Sequence, residues 1–269
     1  MSRDEPDVMR SRQVNLAEAG AASVALEVSG LTAGYSTVPI VEAVDITVRE
    51  GEVVLLVGPN GAGKSTVLKA VVGAIPRLNG QVRVLGRKVG GKGPAGMARV
   101  GVAYVPQHND VFLQMSVQDN LLLGGFLLSR AERMQRMARW MDVFPALGAA
   151  KHKLASALSG GQRKTLALAR ALMVDPYVVL LDEPTAGLSP KIAREVLEEN
   201  VAPLRDMGKA VLMVEQRVGD ALRIADQVKV LVSGRVVLAE SAVAFRSRSD
   251  AARWLMGAVS EQVASAGLA

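Results

Sequence analysis

Residues 58–65 constrain the fold of this chain more than any other segment. Their sequence, Gly-Pro-Asn-Gly-Ala-Gly-Lys-Ser, fits the pattern G-x-x-x-x-G-K-[ST]. The preceding Val53–Val57 is an unbroken apolar run, which predicts a strand buried on both faces. Residues 66–72 can continue as a helix. A strand that enters a helix through a glycine turn directs several backbone N–H groups at one point, and such a point suits a polyphosphate.

This segment, the phosphate loop, predicts nucleotide binding. Lys64 is expected to reach the outer phosphates, and the hydroxyl of Ser65 is expected to coordinate the Mg²⁺ that accompanies them. The residues of the loop and of the first helical turn are the candidate nucleotide contacts: Gly58, Pro59, Asn60, Gly61, Ala62, Gly63, Lys64, Ser65 and Thr66.

A second motif, Leu-Ser-Gly-Gly-Gln at residues 158–162, lies between the phosphate loop and another apolar run at 178–183. In this order the motifs resemble the ATP-binding cassette family of transport ATPases over about residues 26–240. The resemblance implies an α/β fold of the P-loop NTPase class, with a mostly parallel sheet flanked by helices. It also implies an N-terminal antiparallel β subdomain and an inserted helical lobe, with ATP and Mg²⁺ as ligands.

The second apolar run ends in two carboxylates, Asp182 and Glu183. Hydrolysis of a γ-phosphate requires charge neutralisation and a positioned water. Asp182 is expected to hold Mg²⁺ with Ser65, Glu183 to act on the water as general base, and Lys64 to neutralise phosphate charge. Because adjacent side chains of a strand point to opposite faces, the chain must turn after Asp182, and Pro184 favours a sharp exit.

The resemblance implies further contacts. Tyr35 corresponds to an aromatic residue that stacks on adenine, and Gln107 to a glutamine at the hinge of the lobe that senses Mg²⁺ and nucleotide. The signature segment, residues 158–162, serves the γ-phosphate held by a second subunit in a head-to-tail dimer. Its implied nucleotide contacts are Ser159, Gly160, Gly161 and Gln162. The implied partners are a second cassette, identical or different, transmembrane permease subunits and, indirectly, a solute-binding protein.

Two positions depart from the family pattern. Gln216 stands where a histidine usually contacts the γ-phosphate, and Ser189 replaces a common aspartate. The amide of Gln216 can donate a hydrogen bond, but it cannot carry charge or shuttle a proton. Hydrolysis is still expected because Lys64, Asp182 and Glu183 are present. Slower turnover, asymmetry between two sites, or a non-catalytic cassette remain open alternatives.

The departures also resemble one branch of the family. Glu-Gln at 215–216, Gly-Leu-x-Pro at 187–190 and the stretch 111–121 are similar to the second ATPase subunit of branched-chain amino acid importers and its relatives for urea and short amides. Gln107 does not fit, since that branch often has glutamate there. The predicted function is solute import. The alternatives are an exporter, a lipid extractor or a soluble cassette ATPase.

The composition of the chain limits the cellular locations and the binding partners that can be predicted for it. The chain has a formal charge of +6, but its basic residues are scattered and only 3% of its residues are aromatic, so no nucleic-acid partner is predicted. No run of eighteen uncharged apolar residues is present, and the charged first twenty residues do not form a secretory signal. The absence of cysteine fits a cytosolic protein, and the resemblance to transport ATPases implies a peripheral location on the cytoplasmic face of the cell membrane.

The predicted organisation has three parts. Residues 1–22 are expected to form a disordered tail, residues 23–244 the cassette with the lobe inserted at about 108–160, and residues 245–269 a short helix and tail. Residues 88–96 are expected to form an exposed loop. Within the lobe, Met134, Met137, Met141 and Phe144 recur on one helical face, either as core or as a surface for a partner.

Overall fold

The computed structural model describes residues 22–90, 93–108 and 110–255. The predicted tail at 1–22 and the C-terminal segment from 256 onward therefore lie almost wholly outside the described residues. Ten strands form two sheets: β1 Val24–Ala33, β2 Val41–Arg49, β3 Val53–Val57, β4 Arg77–Val84, β5 Arg87–Val89, β6 Val102–Val105, β7 Val178–Asp182, β8 Ala210–Val214, β9 Gln227–Val232 and β10 Arg235–Ser241.

The helices connect these strands and build the lobe. They are α1 Lys64–Val71, α2 Gly93–Arg99, α3 Val117–Gly124, α4 Arg130–Val143, α5 Pro145–Ala149, α6 Gly160–Leu172, α7 Pro190–Glu195, α8 Ala202–Asp206, α9 Val218–Ala221, α10 Ala242–Arg246 and α11 Ala251–Leu255. A 3-10 turn at Ala155–Ala157 precedes α6, and a π-helical stretch at Val196–Val201 joins α7 to α8. Within the described ranges, none of these helices has the length and apolar character needed to cross a membrane.

The larger sheet has the strand order β10-β9-β3-β8-β7-β6. Its strands from β9 to β6 run parallel, and β10 closes one edge as the antiparallel partner of β9. Parallel strands must be covered on both faces, and the central β3, β7 and β8 are buried at every residue. The carboxyl ends of these three strands therefore lie side by side at one edge.

Strand β3 divides the core in two, because successive side chains point to opposite faces. Val53, Leu55 and Val57 pack into a cluster that includes the helical lobe, whereas Val54 and Leu56 pack with α1 and the antiparallel sheet. That smaller sheet has the order β2-β1-β4-β5. The predicted α/β fold with an antiparallel β subdomain is confirmed. One face of the parallel sheet is covered by α1 and this subdomain rather than by helices alone.

The inserted lobe consists of α3, α4 and α5 and continues into α6. Trp140 of α4 is fully buried, and its indole N–H donates to the backbone oxygen of Leu172 at 3.1 Å, which ties α4 to the end of α6. The predicted methionine face divides between the two alternatives. Met137 and Phe144 are buried in the core, while Met134 is 45% exposed.

Two local expectations need correction. Residues 88–96 are not a single loop, since β5 pairs with β4 and α2 begins at Gly93. The boundary placed at 244 falls inside α10, whose Phe245 is fully buried in the core of the sheet, so the described chain has no break there.

Candidate functional site

The phosphate loop leaves β3 and enters α1 as predicted. Gly63 is the N-cap of α1 and offers no side chain to the first N–H groups of the helix, which leaves these donors for a ligand. The Lys64 ammonium lies back over the loop, where it donates to the backbone oxygens of Gly58 and Pro59 at 2.8 and 2.9 Å. Burial lowers the pKa of Lys64, while the carboxylates of Glu183 and Asp182 oppose that shift.

Two glycines of the loop are required by close contacts. Gly58 has φ of 147°, and a Cβ there would lie 2.0 Å from the backbone oxygen of Leu231. Gly63 has φ of 99°, and a Cβ would lie 2.5 Å from the Val41 side chain. Any other residue would push the loop away from β9 and β2. The backbone therefore lies tightly against the sheet, with its open side toward α1.

The hydroxyl of Ser65 donates to Asp182 Oδ1 at 2.7 Å, which brings together two of the three residues predicted to contact Mg²⁺. The third, Gln107, donates to Glu183 instead. The phenol of Tyr104, on the neighbouring β6, donates to the other carboxylate oxygen at 3.1 Å. Burial and then the Asp182 charge raise the pKa of Tyr104, so the phenol remains a hydrogen-bond donor. No role was predicted for Tyr104, although it is the one polar side chain in an otherwise apolar strand.

These oxygens fit a hard cation such as Mg²⁺, which takes carboxylate and hydroxyl ligands. Across the described parts of the chain, no three His, Cys, Asp or Glu side chains cluster as a ready-made metal site. A cation bound by Ser65 and Asp182 would therefore draw its other ligands from phosphate oxygens and water, as Mg²⁺ does in nucleotide complexes.

Glu183 lies beyond the end of β7 in a left-handed conformation, with φ of 49°. This is the turn that the sequence required to redirect its side chain. The amide of Gln216 donates to both carboxylate oxygens of Glu183 at 2.8 and 2.9 Å, and the amide of Gln107 donates to one of them. The three side chains line one open cleft of about 540 Å³. The structure thus brings together the predicted catalytic carboxylate and both predicted glutamines.

The signature segment lies at the start of α6. Gly160 and Gly161 pack against Leu188 and Ile192, since a Cβ on either glycine would lie 2.9 or 2.7 Å from those side chains. Among the described residues, no hydrogen bond links residues 159–162 to the phosphate loop of the same chain. Ser159 is exposed and caps α6.

Tyr35 follows β1 and is 59% exposed, so its side chain is accessible to a ligand. Its hydroxyl accepts from the ammonium of Lys69, on α1, at 3.3 Å. The ring is therefore held beside the helix that follows the phosphate loop. The position is consistent with the predicted stacking on a base.

Sequence reasoning missed two further residues that hold the site, Lys164 and Glu215. The ammonium of Lys164, on α6, donates to the Gln107 backbone oxygen and to Asp110, both at 2.9 Å. Buried Glu215 accepts from the backbone N–H and the hydroxyl of Thr185 at 2.8 and 2.7 Å. The position of Glu215 directly after a buried strand was the available signal, because polar residues at the carboxyl ends of parallel strands gather at one edge.

Comparison with known proteins gives the family. The sequence profile of the ABC transporter family matches residues 41–186, more than half of the chain. The probable branched-chain amino acid transport ATP-binding protein LivF of Archaeoglobus fulgidus is 41% identical over 77% of this chain and 87% of its own length. The high-affinity branched-chain amino acid transport ATP-binding protein BraG of Pseudomonas aeruginosa is 36% identical over 78% and 90%.

An export protein is also similar. The Nod factor export ATP-binding protein I of Rhizobium meliloti is 36% identical over 80% of this chain and 64% of its own length. Among solved structures, the ADP conformation of an ATP-binding cassette of an ABC transporter matches with a TM-score of 0.76 at 25% identity. That match covers 87% of this chain and 99% of the other. The chain therefore belongs to the ABC transporter family and is one of its ATP-hydrolysing cassettes.

Proposed function

We propose that this ATPase drives solute import through separate membrane permeases, and that its solutes are branched-chain amino acids or related amides and urea. The observation that carries the proposal is the match to two branched-chain amino acid transport ATP-binding proteins over 87% and 90% of their lengths. The export protein aligns over 64% of its own length, so a third of that protein has no counterpart in the alignment.

The arrangement of the site supports a separate role for each of its residues in hydrolysis. Lys64 and the open N–H groups of α1 bind the phosphates, while Ser65 and Asp182 hold Mg²⁺, which supplies charge neutralisation for the transferred phosphoryl group. Glu183 accepts a proton from the attacking water and is oriented by Gln107 and Gln216. Tyr35 stacks on the base.

The signature segment supports action as a dimer. Ser159 is exposed at the N-terminus of a 13-residue helix and makes no hydrogen bond to its own phosphate loop within the described residues. We infer that its hydroxyl and the neighbouring glycines contact the γ-phosphate bound by a second cassette. ATP then joins two subunits, and hydrolysis lets them separate. The partner cassette is a second copy or a homologous subunit.

An apolar groove on the lobe supports contact with a permease. It has a volume of about 470 Å³ and lies between α2, β6, α3 and α6. Phe112, Leu123 and Phe126 line it and are 49%, 42% and 52% exposed. A contiguous apolar surface of this kind marks a protein-binding site. A helical segment of a permease, docked on the cytoplasmic side of the membrane, is the occupant that a transport function requires.

Transport of labelled solutes tests the proposal. Cells that carry the chain with its native partners should take up labelled leucine, isoleucine, valine, urea or a short amide, and Glu183→Gln should abolish that uptake. Phe126→Asp should abolish uptake while ATP turnover by the purified chain persists, because only the groove is altered. Accumulation of a solute inside the cells on loss of the chain would indicate export instead.

A further inference from the structure

Glu215 is a buried carboxylate that none of the roles above uses. It follows β8, and only 2% of its surface is exposed. Its Oε1 accepts from the backbone N–H and the hydroxyl of Thr185, at 2.8 and 2.7 Å. Its Oε2 accepts from the backbone N–H groups of Gln216 and Arg217, at 3.1 and 3.5 Å. Among the described residues, no basic side chain forms an ion pair with it.

A carboxylate at this position is not explained by stability. Transfer of a carboxylate from water to a protein interior carries a large penalty, which only good hydrogen bonds offset. Burial raises the pKa of Glu215, and the hydrogen bonds from Thr185, Arg217 and Gln216 oppose that shift without cancelling it. All four hydrogen bonds are donated to the carboxyl oxygens, as suits an anion, while burial disfavours that anion, and such opposed influences are expected of a group retained for function.

The hydrogen bonds of Glu215 close a ring around the catalytic carboxylate. Thr185 lies two residues after Glu183, and Gln216 lies directly after Glu215. The side chain of Gln216 returns to the carboxylate of Glu183 at 2.8 Å. The loops after β7 and β8 are thus joined twice, once through Glu215 and once through Gln216.

The ring is needed because Glu183 has an unfavourable backbone conformation. A non-glycine residue at φ of 49° costs about 1–2 kcal/mol and persists only where neighbouring contacts fix it. The backbone N–H of Glu183 donates to the Val214 oxygen at 2.9 Å, and Glu215 holds Thr185 on the other side of the turn. The guanidinium of Arg217 donates to the backbone oxygen of Leu188 at 2.8 Å, which adds another hydrogen bond between the loops after β8 and β7.

We propose that Glu215 is a positioning residue for ATP hydrolysis, which fixes Glu183 and Gln216 against each other by joining the two loops that follow β7 and β8. The inference rests on the role proposed for Glu183 in the reaction. Glu215 itself touches neither the nucleotide nor the attacking water.

Glu215→Gln tests the proposal, because it keeps the shape and removes the charge. In either orientation its NH₂ group faces backbone N–H donors, so one side of the ring opens. We expect kcat of the full-length chain to fall roughly 10- to 100-fold, while KM for ATP changes less than about threefold. A parental kcat in a folded Glu215→Gln variant would overturn the proposal, as would a loss of ATP binding equal to the loss of kcat.

Thr185 provides a second, milder variant. Thr185→Val removes one hydroxyl donor to Glu215, keeps the backbone donor and retains the β-branched shape. We expect a fall in kcat of about three- to tenfold, and Thr185→Ser should restore the parental value because it returns the hydroxyl. If Glu215→Gln does not fold, Thr185→Val and Thr185→Ser test the proposal in its place. A parental kcat in Thr185→Val then contradicts the inference.

Asp226→Asn is the matched control. Asp226 accepts from the backbone N–H of Val53 at 2.9 Å, at the start of β3 and so at the opposite end of that strand from the phosphate loop. Asp226→Asn should lower stability without lowering kcat. A fall in kcat equal to that of Glu215→Gln would mean that Glu215 has only a structural role.

Glu183→Gln separates the two proposals. If that variant retains turnover, the role of Glu183 fails, whereas an inactive Glu183→Gln beside a parental Glu215→Gln refutes only the ring.

Discussion

The amide of Gln216 donates to both carboxylate oxygens of Glu183, at 2.8 and 2.9 Å. Gln107 donates to the same carboxylate from the hinge of the lobe. Both donors are neutral, so they stabilise the anion without the charge that a histidine could bring. One carboxylate oxygen of Glu183 accepts from both amides, whereas Oε1 accepts from Gln216 alone and keeps an acceptor position for the attacking water. The positions of the two glutamines therefore set the availability of the base.

Glu183→Gln should separate ATP binding from hydrolysis. The substitution keeps the shape of the side chain but removes its basicity, while the phosphate loop is untouched. We expect ATP affinity within about threefold of the parent and a fall in kcat of at least roughly 100-fold. A dimer that persists with ATP should appear in size-exclusion chromatography, because ATP is not consumed.

Glu27→Gln serves as the control for this variant. Glu27 lies on β1 of the antiparallel sheet with a side chain that is 44% exposed, and its contacts are a 3.9 Å ion pair with Arg83 and a 3.4 Å hydrogen bond from the Ser29 hydroxyl. The Glu27→Gln variant should hydrolyse ATP at the parental rate. Loss of nucleotide binding in Glu183→Gln would contradict the assignment of this carboxylate.

Gln216→His should add a titratable group to a site that now has none at this position. The imidazole can still donate to Glu183, so we expect turnover at pH 8 to match or exceed the parent. Its ordinary pKa near 6.5 adds a pH dependence between about pH 6 and 8 that the parent lacks. Steady-state kcat measured across that range checks the prediction, with exposed Gln135→His on α4 as the control. An inactive enzyme at every pH would show that the amide has a role of its own.

The sequence predicts the parts of this site that depend on local order. The phosphate loop and the turn at Glu183 each follow from residues a few positions apart, and each is present. Lys164 and Glu215 were missed because their contacts join residues 54 and 30 positions apart. Such contacts depend on strand order, which spacing along the chain does not reveal. The methionine face of α4 likewise needed the packing of Trp140 to show which side is core.

Tyr35→Leu should weaken ATP binding while leaving the reaction intact. Stacking of an aromatic ring on a base contributes about 1–3 kcal/mol, which corresponds to roughly a 5- to 150-fold rise in Kd. Tyr35→Phe keeps the ring and loses only the contact of its hydroxyl with Lys69, so its Kd should stay close to the parent. Titration of each variant with a fluorescent ATP analogue measures the difference. Equal Kd values for Tyr35→Leu and Tyr35→Phe would show that the ring of Tyr35 does not stack on the base.

Glu215 should also leave a mark on stability that depends on pH. Because burial raises its pKa above that of the unfolded chain, its contribution is fully present below the ordinary glutamate value and is lost as pH rises through the raised pKa. Glu215→Gln removes this dependence, so the variant should be more destabilised at pH 5 than at pH 8. Urea midpoints of parent and variant at both pH values test this sign. A penalty that grows with pH would mean that the carboxylate is stabilised, not strained, by its site.

The ion pair between Lys164 and Asp110 should couple strongly in a double-mutant cycle. Both side chains are only 13% exposed and their charged atoms lie 2.9 Å apart, so removal of one partner leaves a mostly buried charge. Lys164→Met and Asp110→Asn should each cost more than the pair together, with a coupling energy of about 1–3 kcal/mol from urea unfolding.

The pair Lys191 and Glu195 is the matched comparison on an exposed helix face. Its side chains are 86% and 42% exposed and its atoms lie 3.9 Å apart. Water and salt screen such a pair, so its coupling should not exceed about 0.5 kcal/mol. The difference has a functional consequence, because Lys164 also holds the backbone of Gln107, whose amide contacts Glu183. Lys164→Met should therefore lower kcat as well as stability. Lys191→Met should change kcat by no more than about twofold and the free energy of unfolding by no more than about 0.5 kcal/mol. Equal coupling energies for the two pairs would show that the hinge of the lobe is not anchored by this contact.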